Sequence, residues 1–248
     1  MNNIGFGIFC FGEEYYFKGT LDKIKHILDE RYHCYILTDT PEYFTTRYSS
    51  SLLHVIQYDR NFKSYSDKMI LPKYILRKHN IGILIDADTH ITDYSFLSIL
   101  KKYNFKYGIS YIDNLLNHKS KKEFVKDLIQ PTQNEWKLYV NYLQKIYPSY
   151  GEFETMWEYF IVINKTGFNE TNFYHHYEKL QIIKEYCDVE MNKQINGAGE
   201  GISIQVSSKL SNSEIQRDLS LYEMLKDKMV SVSRRYTPRE LWPEWMKW

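Results

Sequence analysis

The sequence has few cysteines, three in 248 residues. Cys10, Cys34 and Cys187 lie far apart, and their odd number and wide spacing argue against a disulfide framework or a cysteine metal site. A chain of this length buries a core large enough to be stable without cross-links. We therefore expect the protein to work in a reducing compartment, the cytoplasm.

Long apolar runs and an excess of one charge are also missing. The first apolar run, residues 4–11, has no basic residue before it and is followed by Glu13 and Glu14, which is typical of a strand and not of a signal peptide. No later run approaches the roughly 20 apolar residues of a membrane helix. Basic and acidic residues number 32 and 31, so the net charge gives no general attraction to nucleic acid or to an anionic membrane.

Aromatic side chains are abundant, with 23 tyrosines, 13 phenylalanines and five tryptophans. Such rings stack on sugars and bases alike, and a tyrosine hydroxyl adds a hydrogen bond. An AT-rich genome would raise the tyrosine content without any functional reason. Both interpretations remain open from the sequence.

The apolar pattern predicts an α/β protein with a mostly parallel sheet. In the first half, predicted strands (4–11, 34–37, 53–57 and 81–85) alternate with predicted helices (20–30 and 66–78). In the second half, the pattern predicts helices at 96–103, 135–146 and 174–185 and a buried strand at 159–164. A further helix begins at residue 219 and leads into a tail, so we expect one domain with a C-terminal helical tail.

Two aspartates follow the predicted strand 81–85 directly. Asp86 and Asp88 are separated by a single small residue, and a strand end of this kind lies where open sheets of this class collect their ligands. Carboxylate oxygens suit Mn²⁺ or Mg²⁺ and leave coordination positions for a diphosphate. The alternative is a solvated turn after the strand, with the two acids as polar caps.

This D-x-D segment resembles that of the GT-A glycosyltransferases, whose Rossmann-like fold joins a nucleotide-binding half to an acceptor-binding half. The opening strand, the turn at Asp39 and the basic helix that carries Lys68 occur in the order found in that family. The resemblance implies a nucleotide-binding half at 1–93 and an acceptor-binding half at 94–218. The sequence pattern adds a C-terminal helix with a tryptophan-rich tail at 219–248. The resemblance also implies a nucleotide-sugar donor, with UDP as the expected nucleotide.

The resemblance further implies roles for single residues on the donor side. The loop after the first strand and the turn after the second hold the nucleoside in such enzymes, which indicates Phe9, Phe11 and Asp39. Asp86 and Asp88 would bind the metal, with Asp86 also next to the donor. Lys68 would face the donor phosphates or the aspartates, and its alternative is a surface lysine on a helix.

Two glutamates are candidates for the catalytic carboxylate. Glu200 lies among glycines, which permit tight turns and the close approach of a substrate, whereas Glu158 precedes the buried strand 159–164. We favour Glu200, and either acid could deprotonate an acceptor or stabilise a cationic transition state. A third metal ligand late in the chain would come from His175, His176 or Asp188, none of which has a diagnostic neighbourhood.

Two further segments have open interpretations. The lysine-rich stretch 118–126 is either a solvated face or a phosphate-binding patch. The tail carries Trp242, Trp245 and Trp248 beside basic groups; these rings would stack on bases, lie in a membrane interface or fold back onto the domain.

The sequence therefore favours a metal-dependent glycosyltransferase. The acceptor would be a surface glycan or, as in the phage enzymes that the chain resembles only in general character, a hydroxymethylated cytosine in DNA within a host cytoplasm. A DNA acceptor would need a positive groove and aromatic support for a flipped base. A metal-dependent nuclease or phosphatase, with His90 and Asp93 near the pair, is one alternative. A non-catalytic nucleotide-binding module is the other.

Overall fold

The computed structural model describes residues 3–12, 14–59, 65–112, 143, 145–147, 160–190 and 200–231. The α-helices of these ranges are α1 (Glu14–Asp29), α2 (Glu42–Thr45), α3 (Leu71–Ile75), α4 (Phe96–Leu100), α5 (Glu170–Glu190), α6 (Glu200–Leu210) and α7 (Leu219–Leu225). The strands are β1 (Ile4–Phe9), β2 (His33–Thr38), β3 (Leu53–Gln57), β4 (Ile81–Ile85), β5 (Thr89–Ile91), β6 (Ile109–Tyr111), β7 (Phe160–Asn164), β8 (Ile215–Arg217) and β9 (Met229–Ser231). Short 3-10 helices span Tyr65–Ile70 and Lys165–Gly167.

The strands of the described ranges form a seven-stranded sheet in the order β3-β2-β1-β4-β7-β6-β8. Strands β1 to β4 are parallel to one another, and β7 runs antiparallel to the strands on both of its sides, β4 and β6. Strand β8 is parallel to β6, so six of the seven strands share one direction. The predicted mixed α/β fold with a mostly parallel sheet and flanking helices is confirmed.

Each face of the sheet is covered by a separate apolar core. The first core contains Phe6 and Ile8 of β1 with Ile24 and Ile27 of α1, whereas the second contains Phe9. Helix α3, the first 3-10 helix and helices α5 and α6 supply the second core with a further set of side chains, among them Met69, Leu71, Ile75, Phe173 and Ile204. Because side chains alternate across a strand, every central strand contributes to both cores and reads as a continuous apolar run.

Glycines in β1 allow helix α3 to pack close to the sheet. A Cβ atom on Gly5 would lie 2.7 Å from His79 and 2.8 Å from Ile75, and one on Gly7 would lie 2.9 Å from Ile75. Any larger residue would push the helix away from the strand. The 3-10 helix Tyr65–Ile70 directly precedes α3 and also contacts β1. The close packing of α3 therefore helps to fix its position against that strand.

The predicted elements agree best with the structure where the apolar pattern is strongest. Strands 53–57 and 81–85 have the predicted bounds. The first helix, predicted at 20–30, begins six residues earlier at Glu14, and the helix predicted at 66–78 is a 3-10 helix followed by a short α-helix. The helix predicted at 174–185 extends over Glu170–Glu190. Most of the helix predicted at 135–146 lies outside the described residues.

The C-terminal part begins with the predicted helix, α7, and then forms a strand that the sequence did not predict. Strand β9 pairs with β5, with Ser231 opposite Thr89, so the chain returns to the segment that follows the two aspartates. Leu221, Leu225 and Met229 pack in the first core. In the part of the chain that the structure describes, no helix is both long and apolar enough to cross a bilayer.

Candidate functional site

The ends of three adjacent strands define the candidate site. Strands β2, β1 and β4 are neighbours and parallel, so their carboxyl ends meet at one edge of the sheet, where ligands of such sheets bind. Asp39 follows β2, and Asp86 follows β4. The sheet therefore brings these two predicted residues to the same edge.

The D-x-D segment forms a tight turn between β4 and β5. The Thr89 amide donates to the Asp86 carbonyl at 3.1 Å. Alternation along β4 puts Asp86 on the face of the second core, while Ala87 packs in the first core. Both aspartates are half-buried, so neither is sealed among apolar side chains nor fully surrounded by water.

Lys68 reaches Asp86 from the side of the second core. Its Nζ lies 3.1 Å from Asp86 Oδ1, and the Lys68 side chain is 5% exposed against 30% for Asp86. The 3-10 helix that carries Lys68 is anchored beside it, since the Tyr58 hydroxyl donates to the buried Asp67 at 3.3 Å. Lys68 therefore lies buried against Asp86 and not on the surface.

Lys23, which was not predicted as a site residue, reaches the same turn from the opposite face. Its Nζ donates to the Ala87 carbonyl at 2.8 Å and to the Gly19 carbonyl at 3.1 Å. Lys23 is 1% exposed, because it lies on the inner face of α1, four residues from Gly19 and four from Ile27. A lysine at this spacing within the apolar stripe was the signal that could have identified it.

The electrostatics of the turn reflect this crowding of charge. Burial, together with the charge of Asp86, raises the pKa of Asp88 from 3.8 to about 7, although Lys23 and Lys68 lower it. Burial also lowers the pKa of Lys23 to about 8, against the attraction of nearby acids, Asp88 first. A further positive charge at Asp88 would favour its ionised form.

Asp39 and the predicted aromatic residues differ in accessibility. Asp39 is exposed, and its carboxylate accepts from the Thr40 hydroxyl at 3.1 Å. Phe9 and Phe11 are 6% and 4% exposed, with their rings 4.4 Å apart in the second core. The more accessible ring at this edge belongs to Tyr58, which is half-buried and meets Phe11 edge-on at 6.4 Å.

Several predicted residues lie outside the described structure. These are Glu158, the lysine-rich segment 118–126 and the tail with its three tryptophans. Glu200 is the first residue of α6, and Asp188 lies near the end of α5; no side-chain contact of either is described. His175 is exposed, and His176 is half-buried on the same helix.

The metal-binding potential of the site rests on the aspartate pair. Among the described residues, no group of three or more histidine, cysteine, aspartate or glutamate side chains lies close enough to hold a metal ion. Asp93, the next acid along the chain, accepts from the backbone amide of Ser95 at 2.8 Å and pairs with Lys228. It therefore ties the chain after β5 to the segment before β9.

Comparison with known proteins finds similarity among solved structures. No protein-family model matches the sequence, and no curated protein matches it. Among solved structures, a protein from Desulfovibrio desulfuricans G20, whose name assigns it to the nucleotide-diphospho-sugar transferases, is similar at a TM-score of 0.46 and 12% identity. The match covers 88% of this chain and 80% of that protein. A likeness at this level transfers no residue roles.

Proposed function

We propose that this chain is a glycosyltransferase that uses a divalent metal ion to transfer a sugar from a nucleotide-sugar donor, with UDP as the nucleotide, to an acceptor hydroxyl. One observation carries the proposal. Asp86 and Asp88 follow the buried strand β4 at the carboxyl edge of the sheet, and lysines from both faces of the sheet contact their turn.

The two carboxylates fit a hard cation such as Mn²⁺ or Mg²⁺. They supply oxygen ligands but too few to complete a coordination sphere, which leaves positions for phosphate oxygens. Burial and the charge of Asp86 raise the pKa of Asp88 despite the two lysines, so a bound cation would favour the ionised form of Asp88. A metal ion bound there would act as a Lewis acid on the departing diphosphate.

Lys68 and Asp39 have separate roles at the donor side in this proposal. Lys68 pairs with Asp86, and its ammonium is near enough to the aspartates to contact a diphosphate that they bind. Asp39 is exposed at the end of the adjacent strand pair and would accept hydrogen bonds from the nucleoside. Phe9 and Phe11 would form the buried floor beneath it, with the Tyr58 ring beside them.

The topology supports Glu200 as the catalytic carboxylate. Helix α6 ends at Leu210, shortly before β8 begins at Ile215, and the strand registers put Ile215 level with Gly82 near the start of β4. If α6 packs along its strands, Glu200 lies about 15 Å back from Leu210, towards the carboxyl edge. Glu158 remains the second candidate, since the chain enters β7 at Phe160, the register partner of Ile85.

The alternatives have less support. A two-metal nuclease or phosphatase needs further ligands beside the pair, and Asp93 is instead engaged by Ser95 and Lys228. A non-catalytic nucleotide-binding module would not require the aspartates. The acceptor hydroxyl would belong to a glycan or to a hydroxymethylated base in DNA.

A thermal-shift panel tests the proposal. The protein is melted with UDP, GDP, CDP and ADP, each with and without Mn²⁺, and the panel is repeated on Asp88→Ala. We expect UDP with Mn²⁺ to raise the melting temperature of the native protein, because a ligand that binds only the folded state stabilises it. The rise should be absent in Asp88→Ala and retained in Asp29→Ala, which removes an exposed acid from α1.

Two outcomes would contradict the proposal. A shift that is the same without Mn²⁺ or in Asp88→Ala would argue for a nucleotide-binding module. Metal-dependent cleavage of a phosphodiester, without hydrolysis of a UDP-sugar, would argue for a nuclease.

A further inference from the structure

Helix α1 contributes a buried lysine to the site, although the helix itself covers the first core. Lys23 is 1% exposed, and its neighbours on the inner face of the helix, Thr20, Ile24 and Ile27, are fully buried. Burying an ammonium group is costly unless hydrogen bonds or opposite charges compensate. An apolar side chain at this position would avoid that cost, so the lysine calls for a specific role.

The contacts of Lys23 indicate that role. Its Nζ donates to the carbonyl of Gly19, one turn earlier on α1, and to the carbonyl of Ala87 at 2.8 Å. Ala87 is the middle residue of the D-x-D turn. Its carbonyl belongs to the peptide that joins Ala87 to Asp88, so a hydrogen bond to this oxygen restricts rotation of that peptide plane.

Resting on the proposed function, we infer that Lys23 is a positioning residue of the donor site: by holding the Ala87 carbonyl, it fixes the turn that orients Asp86 and Asp88. The turn is then held on both sides of the sheet. Lys68 contacts the carboxylate of Asp86 from the second core, while Lys23 contacts the backbone from the first. The Thr89 amide, which donates to the Asp86 carbonyl, reports whether the turn is closed.

Substitution Lys23→Met tests the inference, because methionine fills a similar volume and suits the apolar surroundings. Lys184→Met is the matched control, since Lys184 is also a helical lysine and is 2% exposed, but it lies on α5. Hydrogen exchange of the Thr89 amide is measured in both variants. We expect exchange at least tenfold faster in Lys23→Met than in the native protein, and unchanged in Lys184→Met.

The affinity of Lys23→Met for UDP with Mn²⁺ distinguishes a positioning role of Lys23 from a purely electrostatic one. Removing a positive charge near two aspartates would, by itself, tighten the binding of a cation. Loss of positioning acts in the opposite direction, and we expect Lys23→Met to bind UDP with Mn²⁺ at least tenfold more weakly. A similar loss in Lys184→Met would mean that any buried lysine has this effect and would contradict the inference.

The two measurements fail for different reasons. If the native protein does not bind UDP with Mn²⁺, the proposed function is wrong, and Thr89 exchange alone decides the role of Lys23. If the native protein binds both ligands, unchanged Thr89 exchange or tighter binding in Lys23→Met overturns the inference.

Discussion

The two ends of the sheet bury titratable groups in different ways. At the carboxyl edge, lysines and aspartates are held as charged partners, as in the pair formed by Lys68 and Asp86. At the amino edge, His33, His54 and His79 lie against Tyr35 and Asn3 in a network of neutral hydrogen bonds. A bound ligand that carries charge can interact favourably with the ionised groups of the carboxyl edge. At the neutral amino edge, the hydrogen bonds are formed within the protein itself.

The amino-edge network satisfies its members as uncharged groups. The Asn3 side-chain amide donates to the Lys78 carbonyl at 2.8 Å, which leaves the Asn3 oxygen to accept from His79 Nδ1 at 2.7 Å. His79 Nε2 then accepts from the Tyr35 hydroxyl at 3.1 Å. His33 and His54 share one hydrogen bond of 2.8 Å between their rings. We interpret this edge as structural.

The largest expected effect on ligand binding comes from breaking the charged edge with Asp86→Ala. Lys68 would lose its Asp86 partner while remaining buried, and we expect the free energy of unfolding to fall by about 2 kcal/mol, since breaking a buried pair is costly. Binding of UDP with Mn²⁺ should disappear. Urea unfolding and calorimetric titration measure the two effects.

The double variant Asp86→Ala with Lys68→Met sharpens that result. We expect most of the lost stability to return, because no buried ammonium is left without its Asp86 partner, while binding stays absent. Recovery of binding in the double variant would show that Asp86 has no part in holding the ligand.

Gly5→Ala breaks the neutral edge instead. The new Cβ atom would meet His79 at 2.7 Å and Ile75 at 2.8 Å, and we expect the free energy of unfolding to fall by about 1–3 kcal/mol through overpacking. Because this edge is structural, the affinity for UDP with Mn²⁺ should change by less than about twofold. An affinity loss as large as that of Asp86→Ala would remove the distinction between the edges.

The acid sensitivity of the protein should come partly from the neutral edge. Burial, first among several causes, lowers the pKa of His79 from 6.5 to about 4, so between these values the unfolded chain binds more protons than the folded one. Stability should therefore be complete above about pH 6.5 and decrease towards pH 4, by at most about 1.4 kcal/mol per pH unit for one proton.

Urea unfolding across this pH range checks the expectation. His79→Gln should flatten the slope, and His26→Gln should not, since the His26 side chain is 37% exposed and stacks on Tyr94. A slope that His79→Gln leaves unchanged would assign the acid sensitivity to other groups.

The smallest effect is expected from a surface ion pair outside both edges. Lys73 lies 3.2 Å from Glu178 with side chains 35% and 60% exposed. Lys73→Ala should lower the free energy of unfolding by about 0.5 kcal/mol, because water and salt screen such pairs. A loss as large as that of Asp86→Ala in the same urea series would show that exposure does not separate the two pairs.

The sequence predicts the centre of the fold well because residues 81–85, four apolar residues and one glycine, are rich in isoleucine and short, which favours a buried strand. That pattern locates β4 and hence Asp86 and Asp88. The three-residue strands β5, β6, β8 and β9 were not predicted, since they are defined by partners far along the chain. Helix α6 was also not predicted. It is buried on nearly all sides, and its buried residues include Ser203, Ser207 and Ser208, so its sequence shows no apolar stripe.

The sequence identifies the carboxylates of the candidate site, Asp86 and Asp88, but not the lysine that α1 contributes, Lys23. Lys23 lies between exposed positions in sequence, Asp22 and Lys25, and a lysine on a helix ordinarily faces solvent. The packing of α1 against β2 and β5 encloses its ammonium. Tyr58 was missed for a related reason, because its position beside Phe11 depends on the pairing of β3 with β2.

Crystals grown with UDP and Mn²⁺ give the most direct measurement of the central claim, through the anomalous scattering of manganese. We expect one strong anomalous peak within coordination distance of carboxylate oxygens of both Asp86 and Asp88, next to the diphosphate of UDP. The claim would be contradicted by a diphosphate bound elsewhere. It would also be contradicted by a manganese peak that coordinates neither aspartate while Lys68 still pairs with Asp86.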